Sequence, residues 1–65
     1  MEEVRCREWP GMYRAGMAVV HEGRTAHVVA VPKRVMPEGY VPIMYDDEEG
    51  CFVKVPADDL TRRFK

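Results

Sequence analysis

Apolar and polar residues alternate over short runs along most of the chain, and no stretch keeps the helical spacing for more than a turn. Met17-Ala18-Val19-Val20-His21 is short and rich in β-branched residues, and Glu22-Gly23-Arg24 after it carries the Gly that hairpin turns favour. Residues 25–31 predict a second strand, with Ala26, Val28 and Ala30 on one face and Thr25, His27, Val29 and Val31 on the other. Both faces are largely apolar, so cover on both sides is expected. Small Ala at two inward positions suits a tightly curved wall. A loop over residues 32–39, bracketed by Pro32 and Pro37, turns at Glu38-Gly39 into a third strand over residues 40–45. Pro42 lies inside that strand and has no N–H to give, so an edge position or a bulge is expected there.

The acidic turn Asp46-Asp47-Glu48-Glu49-Gly50 leads to a fourth strand, Cys51-Phe52-Val53-Lys54-Val55. Alternation sets Phe52 and Lys54 on one side and Cys51, Val53 and Val55 on the other. Pro56 ends the ladder, and Ala57-Asp58-Asp59-Leu60 predicts a single tight helical turn whose Leu60 folds back onto the core. Residues 61–64 give a last short strand. Residues 1–14 hold no sustained period, and Trp9-Pro10-Gly11 is a turn signal, so an irregular N-terminal arm is expected. Its Trp9, Met12 and Tyr13 are expected to pack across one end of the fold, since exposing all three would leave an adhesive surface. Five short strands with turns about ten residues apart predict an all-β barrel over residues 15–65, with one helical turn before the last strand.

Composition narrows this further. At 65 residues the chain is one domain. Two cysteines, Cys6 and Cys51, are too few for a secreted disulfide scaffold and are read as reduced. The start, Met1-Glu2-Glu3-Val4-Arg5, has acids where a signal peptide needs basic residues, and no apolar run approaches a membrane span. A cytoplasmic location with no membrane partner is expected. Ten basic and eleven acidic residues give a net charge of −1, which favours neither nucleic acid nor an anionic membrane. The acidic run and the basic end formed by Arg62, Arg63 and Lys65 read as a solvated turn and tail. The apolar fraction of 46%, with Met12, Met17, Met36 and Met44 spread along the chain, exceeds what so small an interior readily absorbs.

The order of Gly16 with Val19, Ala26-His27-Val28-Val29, Pro37-Glu38-Gly39-Tyr40, Gly50, and Pro56 with Leu60 and Arg62 resembles an SH3-like barrel. More specifically, it is similar to the plasmid-borne type II dihydrofolate reductases, small barrels that assemble as tetramers. The resemblance implies a central pore holding folate and a nicotinamide cofactor, lined in that family by a Val-Gln-Ile-Tyr stretch of the fourth strand and helped by a Lys of the first. Here the matching residues are Phe52-Val53-Lys54-Val55, and His21 stands about where that Lys would be. The amide and phenol that would orient two polar ligands are missing, so the resemblance supports the fold and argues against the activity. Gly16-Met17-Ala18-Val19-Val20 with Val28-Val29-Ala30-Val31 also resembles KOW and Tudor modules, which bind RNA, protein or modified side chains. A Tudor-type cage would have to come from Trp9, Tyr13, Tyr40, Tyr45, Phe52 and Phe64.

No catalytic, cofactor or metal site is expected. The chain contains no Ser, which excludes Ser-based acyl transfer. His21 and His27 with Cys6 and Cys51 lack the paired short spacings of a zinc site, and they read as surface or rim histidines and buried thiols. The acidic run lacks the alternating ligands of a calcium loop, and no Gly-rich phosphate loop occurs.

The leading expectation is a non-enzymatic binding or assembly module that associates with a protein partner, first of all with itself. Phe52, Val53, Lys54, Val55, Tyr40 and Trp9 are the candidate contact residues. In an oligomer built through the fourth strand, Lys54 would lie near a symmetry axis, where like charges repel unless an acid intervenes. The alternatives are a nucleic-acid module using Arg24, Lys33, Arg34 and Lys54 as one basic face, and a reductase of the type II kind.

Overall fold

The computed structural model describes residues 4–62, and for Arg62 only the backbone. The last part of the expected final strand, with Arg63, Phe64 and Lys65, lies outside the described residues. Among those described, the chain is all-β: nine short strands and three single 3-10 turns, with no α-helix. Two-residue strands β1 (Arg5–Cys6), β2 (Glu8–Trp9) and β3 (Tyr13–Arg14) come first. They are followed by β4 (Ala18–His21), β5 (Arg24–Val28), β6 (Val31–Pro32), β7 (Tyr40–Tyr45), β8 (Val53–Pro56) and β9 (Thr61–Arg62). The main sheet is antiparallel in the order β8-β7-β5-β4-β9. No pairing joins its ends, β8 and β9, so among the described residues the sheet is open.

The β4–β5 hairpin closes on Glu22-Gly23, where φ is positive at both central residues, 54° and 77°. That is the two-residue turn whose twist matches the strands it joins. Val19 and His21 of β4 point inward with Ala26 and Val28 of β5, Val41, Ile43 and Tyr45 of β7, and Val55 of β8. Ala26 faces inward as expected, but β5 ends at Val28, so Ala30 lies beyond the strand and only half-buried. The fourth strand begins at Val53 and takes in Pro56, leaving Cys51 and Phe52 before it. The helical turn occurs as expected, as the 3-10 turn Ala57–Asp59, and Leu60 after it is buried in the core.

Pro42 is neither at an edge nor in a bulge. Its strand β7 lies between β8 and β5, and Pro42 is among the most deeply buried side chains. Extending the β5–β7 register by one residue sets Val29 opposite Pro42, and the Val29 N–H donates to the Pro42 carbonyl at 3.1 Å. In an antiparallel ladder the return bond would come from the N–H of residue 42, which proline lacks. The Val29 carbonyl takes its bond instead from the indole Nε1 of Trp9, at 3.1 Å.

The N-terminal segment is therefore more ordered than its sequence suggests. β2 and β3 form a small hairpin across the 3-10 turn Pro10–Met12, and β1 pairs with β6. Trp9 and Tyr13 join the core while Met12 stays exposed. The Tyr13 hydroxyl donates to the Leu60 carbonyl at 3.1 Å, tying this segment to the closing turn. Gly11 sits at φ 79°, and a Cβ there would stand 3.0 Å from the Tyr13 ring, so both the backbone and the packing require Gly.

Two measurements check these assignments. Trp9→Phe leaves the Val29 carbonyl short of a donor and is expected to cost ~1–3 kcal/mol in denaturant unfolding. In a Pro42→Ala background a backbone N–H is available again, so the same substitution should cost measurably less; strictly additive losses would refute the compensation. Glu22→Asn relieves a left-handed conformation that a Glu side chain disfavours and should raise stability by ~0.5–1 kcal/mol, read as a higher denaturation midpoint at unchanged slope.

Candidate functional site

Alternation turns His27, Met44, Phe52 and Lys54 to the face opposite the core, where cross-strand register brings them together, and half-buried Val29, which also packs against the core, adjoins them. His27 lies opposite Met44, and Lys54 opposite Pro42. These side chains floor an open groove of about 700 Å³, walled on its far side by Val31, Pro32 and Val35. Arg5 and Arg7 from the N-terminal segment and Lys54 from β8 lie on its lining, and among the described residues no carboxylate does. Among the described residues no ion pair engages these three cations.

Only part of the expected contact set lies here. Phe52 and Lys54 line the groove, but Val55 is buried in the core and Val53, half-exposed, points to the other side of the strand. Trp9 is buried, and its edge, with Tyr40, lines a second depression of about 560 Å³ beside Glu8, Lys33 and Glu38. Sequence reasoning missed Met44, His27, Arg5 and Arg7. Met44 and His27 share a period-two face with Phe52 and Lys54 once the register is known, but that register is set by long-range pairing. Arg5 and Arg7 arrive through β1, for which the sequence carries no strand signal.

The four cations taken as one basic face are dispersed. Lys54 lies on the groove and Lys33 on the second depression, with Arg34 beside it in the 3-10 turn Lys33–Val35. Arg24 instead sits on the acidic turn. Its guanidinium hydrogen-bonds Asp47 at 2.8 Å, approaches Glu48 at 3.5 Å and stacks 3.8 Å above the Tyr45 ring. The hydrogen bond to Asp47 raises this guanidinium above its ordinary range. Beneath it, the Tyr45 hydroxyl and His21 Nδ1 share a hydrogen bond of 2.6 Å inside the core. His21 is thus buried, not a surface or rim group, while His27 meets Asp46 at 3.2 Å on the groove lip. The thiols also differ from expectation: Cys51 is exposed, and half-buried Cys6 donates to the Glu8 carbonyl. Among the described residues no three His, Cys, Asp or Glu side chains gather as metal ligands, and no helix is long and apolar enough to cross a membrane.

Compared with protein-family models, curated proteins and solved structures, the chain matches none.

The stacked arrangement around Tyr45 separates a buried bond from an exposed one. Tyr45→Phe strands His21 Nδ1 in the core and is expected to cost ~1–3 kcal/mol, independent of salt. Arg24→Ala acts on an exposed pair, so its smaller loss should shrink as salt is raised. Equal salt dependence of the two losses, in parallel denaturant titrations, would contradict this division.

Proposed function

We propose that the chain is a non-enzymatic binding module on an SH3-like barrel, and that it receives a protein partner in the groove on the outer face of its sheet. The barrel reading is supported by connectivity: β4, β5, β7 and β8 follow one another as a meander, and β9 returns through a single 3-10 turn to pair with β4. The observation that carries the function is the groove itself. Met44 and Phe52, with half-buried Val29 beside them, give it an apolar floor on a face that a lone barrel has no need to make apolar. Met44 adds a side chain that adapts to varied surfaces.

A partner other than a second copy fits this face better. Two copies meeting groove to groove about a twofold axis would bring Arg5, Arg7 and Lys54 against their own equivalents, with no carboxylate among the described lining residues to intervene. Among the described residues Phe52 is the one Phe, Tyr or Trp on the lining, short of the several stacking platforms that single-stranded nucleic acid uses.

A benzophenone amino acid replacing Phe52 is expected to capture a protein in cell extract on illumination, while the same probe at Glu22 in the hairpin turn does not. Met44→Arg, with folding verified by circular dichroism, should lower the yield about tenfold, equivalent to ~1.4 kcal/mol. The adduct mass separates a foreign protein from a second copy. Equal capture at both positions, or a yield untouched by Met44→Arg, excludes the groove as the docking surface.

A further inference from the structure

The lining chemistry of the groove says what kind of protein segment it takes. The chain contains no Ser, Asn or Gln, so neutral hydroxyl and amide groups of those types cannot supply polar recognition here. On the lining, the side chains able to donate hydrogen bonds are Arg5, Arg7, Lys54 and His27. Three of these carry fixed positive charge, and none of the three is neutralised by an ion pair among the described residues. His27 faces Asp46 at the lip, which holds its ring away from the others' task.

The cations come from separate parts of the chain. Arg5 lies in β1, paired with β6, Arg7 follows that strand, and Lys54 belongs to β8, and all three reach the groove lining. The whole chain has a net charge of −1, so a groove whose fixed charges among the described residues are all positive is a local departure from the balance and not a reflection of it. Desolvating cations against an apolar surface is unfavourable unless the occupant brings opposite charge.

Resting on the docking reading above, we infer that the groove's occupant is an acidic peptide segment whose carboxylates meet Arg5, Arg7 and Lys54 while its apolar side chains pack on Val29, Met44 and Phe52. Arg5 and Arg7 suit paired contacts with a carboxylate, and Lys54 acts as a point charge. Opposite charge on the partner speeds encounter and discriminates against basic segments, so specificity depends on the cations and affinity on the floor.

The test uses the full chain and three fluorescein-labelled peptides with the same Leu and Phe spacing, bearing Glu, Gln or Lys at the intervening positions. Labelled oligothymidylate is the fourth probe. Fluorescence anisotropy is expected to show the Glu peptide binding about tenfold more tightly than the Gln peptide, with the Lys peptide weakest. That advantage should fall as salt rises from ~50 to ~500 mM. Lys54→Glu and Arg7→Glu should each erase it, Lys54→Arg should keep it, and Met44→Arg should weaken the Glu and Gln peptides alike. If the Gln peptide binds as tightly as the Glu peptide and both need Met44, the acidic assignment is overturned and the docking reading stands. Binding of oligothymidylate alone, lost in Lys54→Glu, overturns both in favour of nucleic acid. If no probe binds at millimolar concentration, the acidic assignment falls, and crosslinking at position 52 decides the docking reading separately.

Discussion

A proline inside a strand paired on both sides creates a debt in hydrogen bonds, and the way it is met organises this small protein. Pro42 cannot return the bond that Val29 gives it, so one half-buried carbonyl faces a strand with no donor. Trp9 supplies the donor from a segment that the sheet does not otherwise contain. The indole thereby fixes where the N-terminal hairpin sits, and with it Tyr13, whose hydroxyl closes on the Leu60 carbonyl. β1, drawn along the same path, lies against β6 and raises one wall of the outer groove. A single missing N–H is in this way connected to the shape of the surface opposite the core.

The far end of the sheet is held differently. His21 and Tyr45 share a short bond inside the core, while Arg24 covers the Tyr45 ring and reaches the acidic turn. This arrangement takes the most basic-looking part of the hairpin and commits it to Asp47 and Glu48. The acidic run is consequently a partner of the fold's own arginine, while Arg5, Arg7 and Lys54 face the groove.

Period-two patterning and turn chemistry made the main strands legible: β4, β7 and the Glu22-Gly23 turn follow from local residue choice, as does the 3-10 turn after Pro56. What local pattern could not show was pairing at long range. Residues 1–14 look irregular because two-residue strands carry no period, and the order seen over residues 4–14 comes from bonds of Trp9 and Tyr13 to Val29 and Leu60, 20 and 47 residues away. The same limit applied to Pro42, since local rules place it at an edge and only the position of Trp9 makes an internal place tolerable. On the groove, Phe52 and Lys54 were readable from alternation, whereas Met44 and His27 needed the register and Arg5 and Arg7 needed the β1–β6 pair. Val55 and Trp9 failed as contact residues for one reason: large apolar groups in so small a chain are needed for the core first.

The open end of the sheet at β8 carries a further consequence. A strand edge that pairs with nothing among the described residues, with half-exposed Val53 and Phe52 beside it, is a template for uncontrolled strand addition between molecules. Lys54 sits in the middle of that edge and Pro56 at its end, a charge and a missing donor of the kind that natural edge strands use to stay unpaired. The lysine that faces the groove is therefore also a guard against aggregation. Exchanging it for an apolar residue to accommodate a different partner would trade solubility for specificity, which ties the evolution of this surface to the colloidal behaviour of the whole molecule.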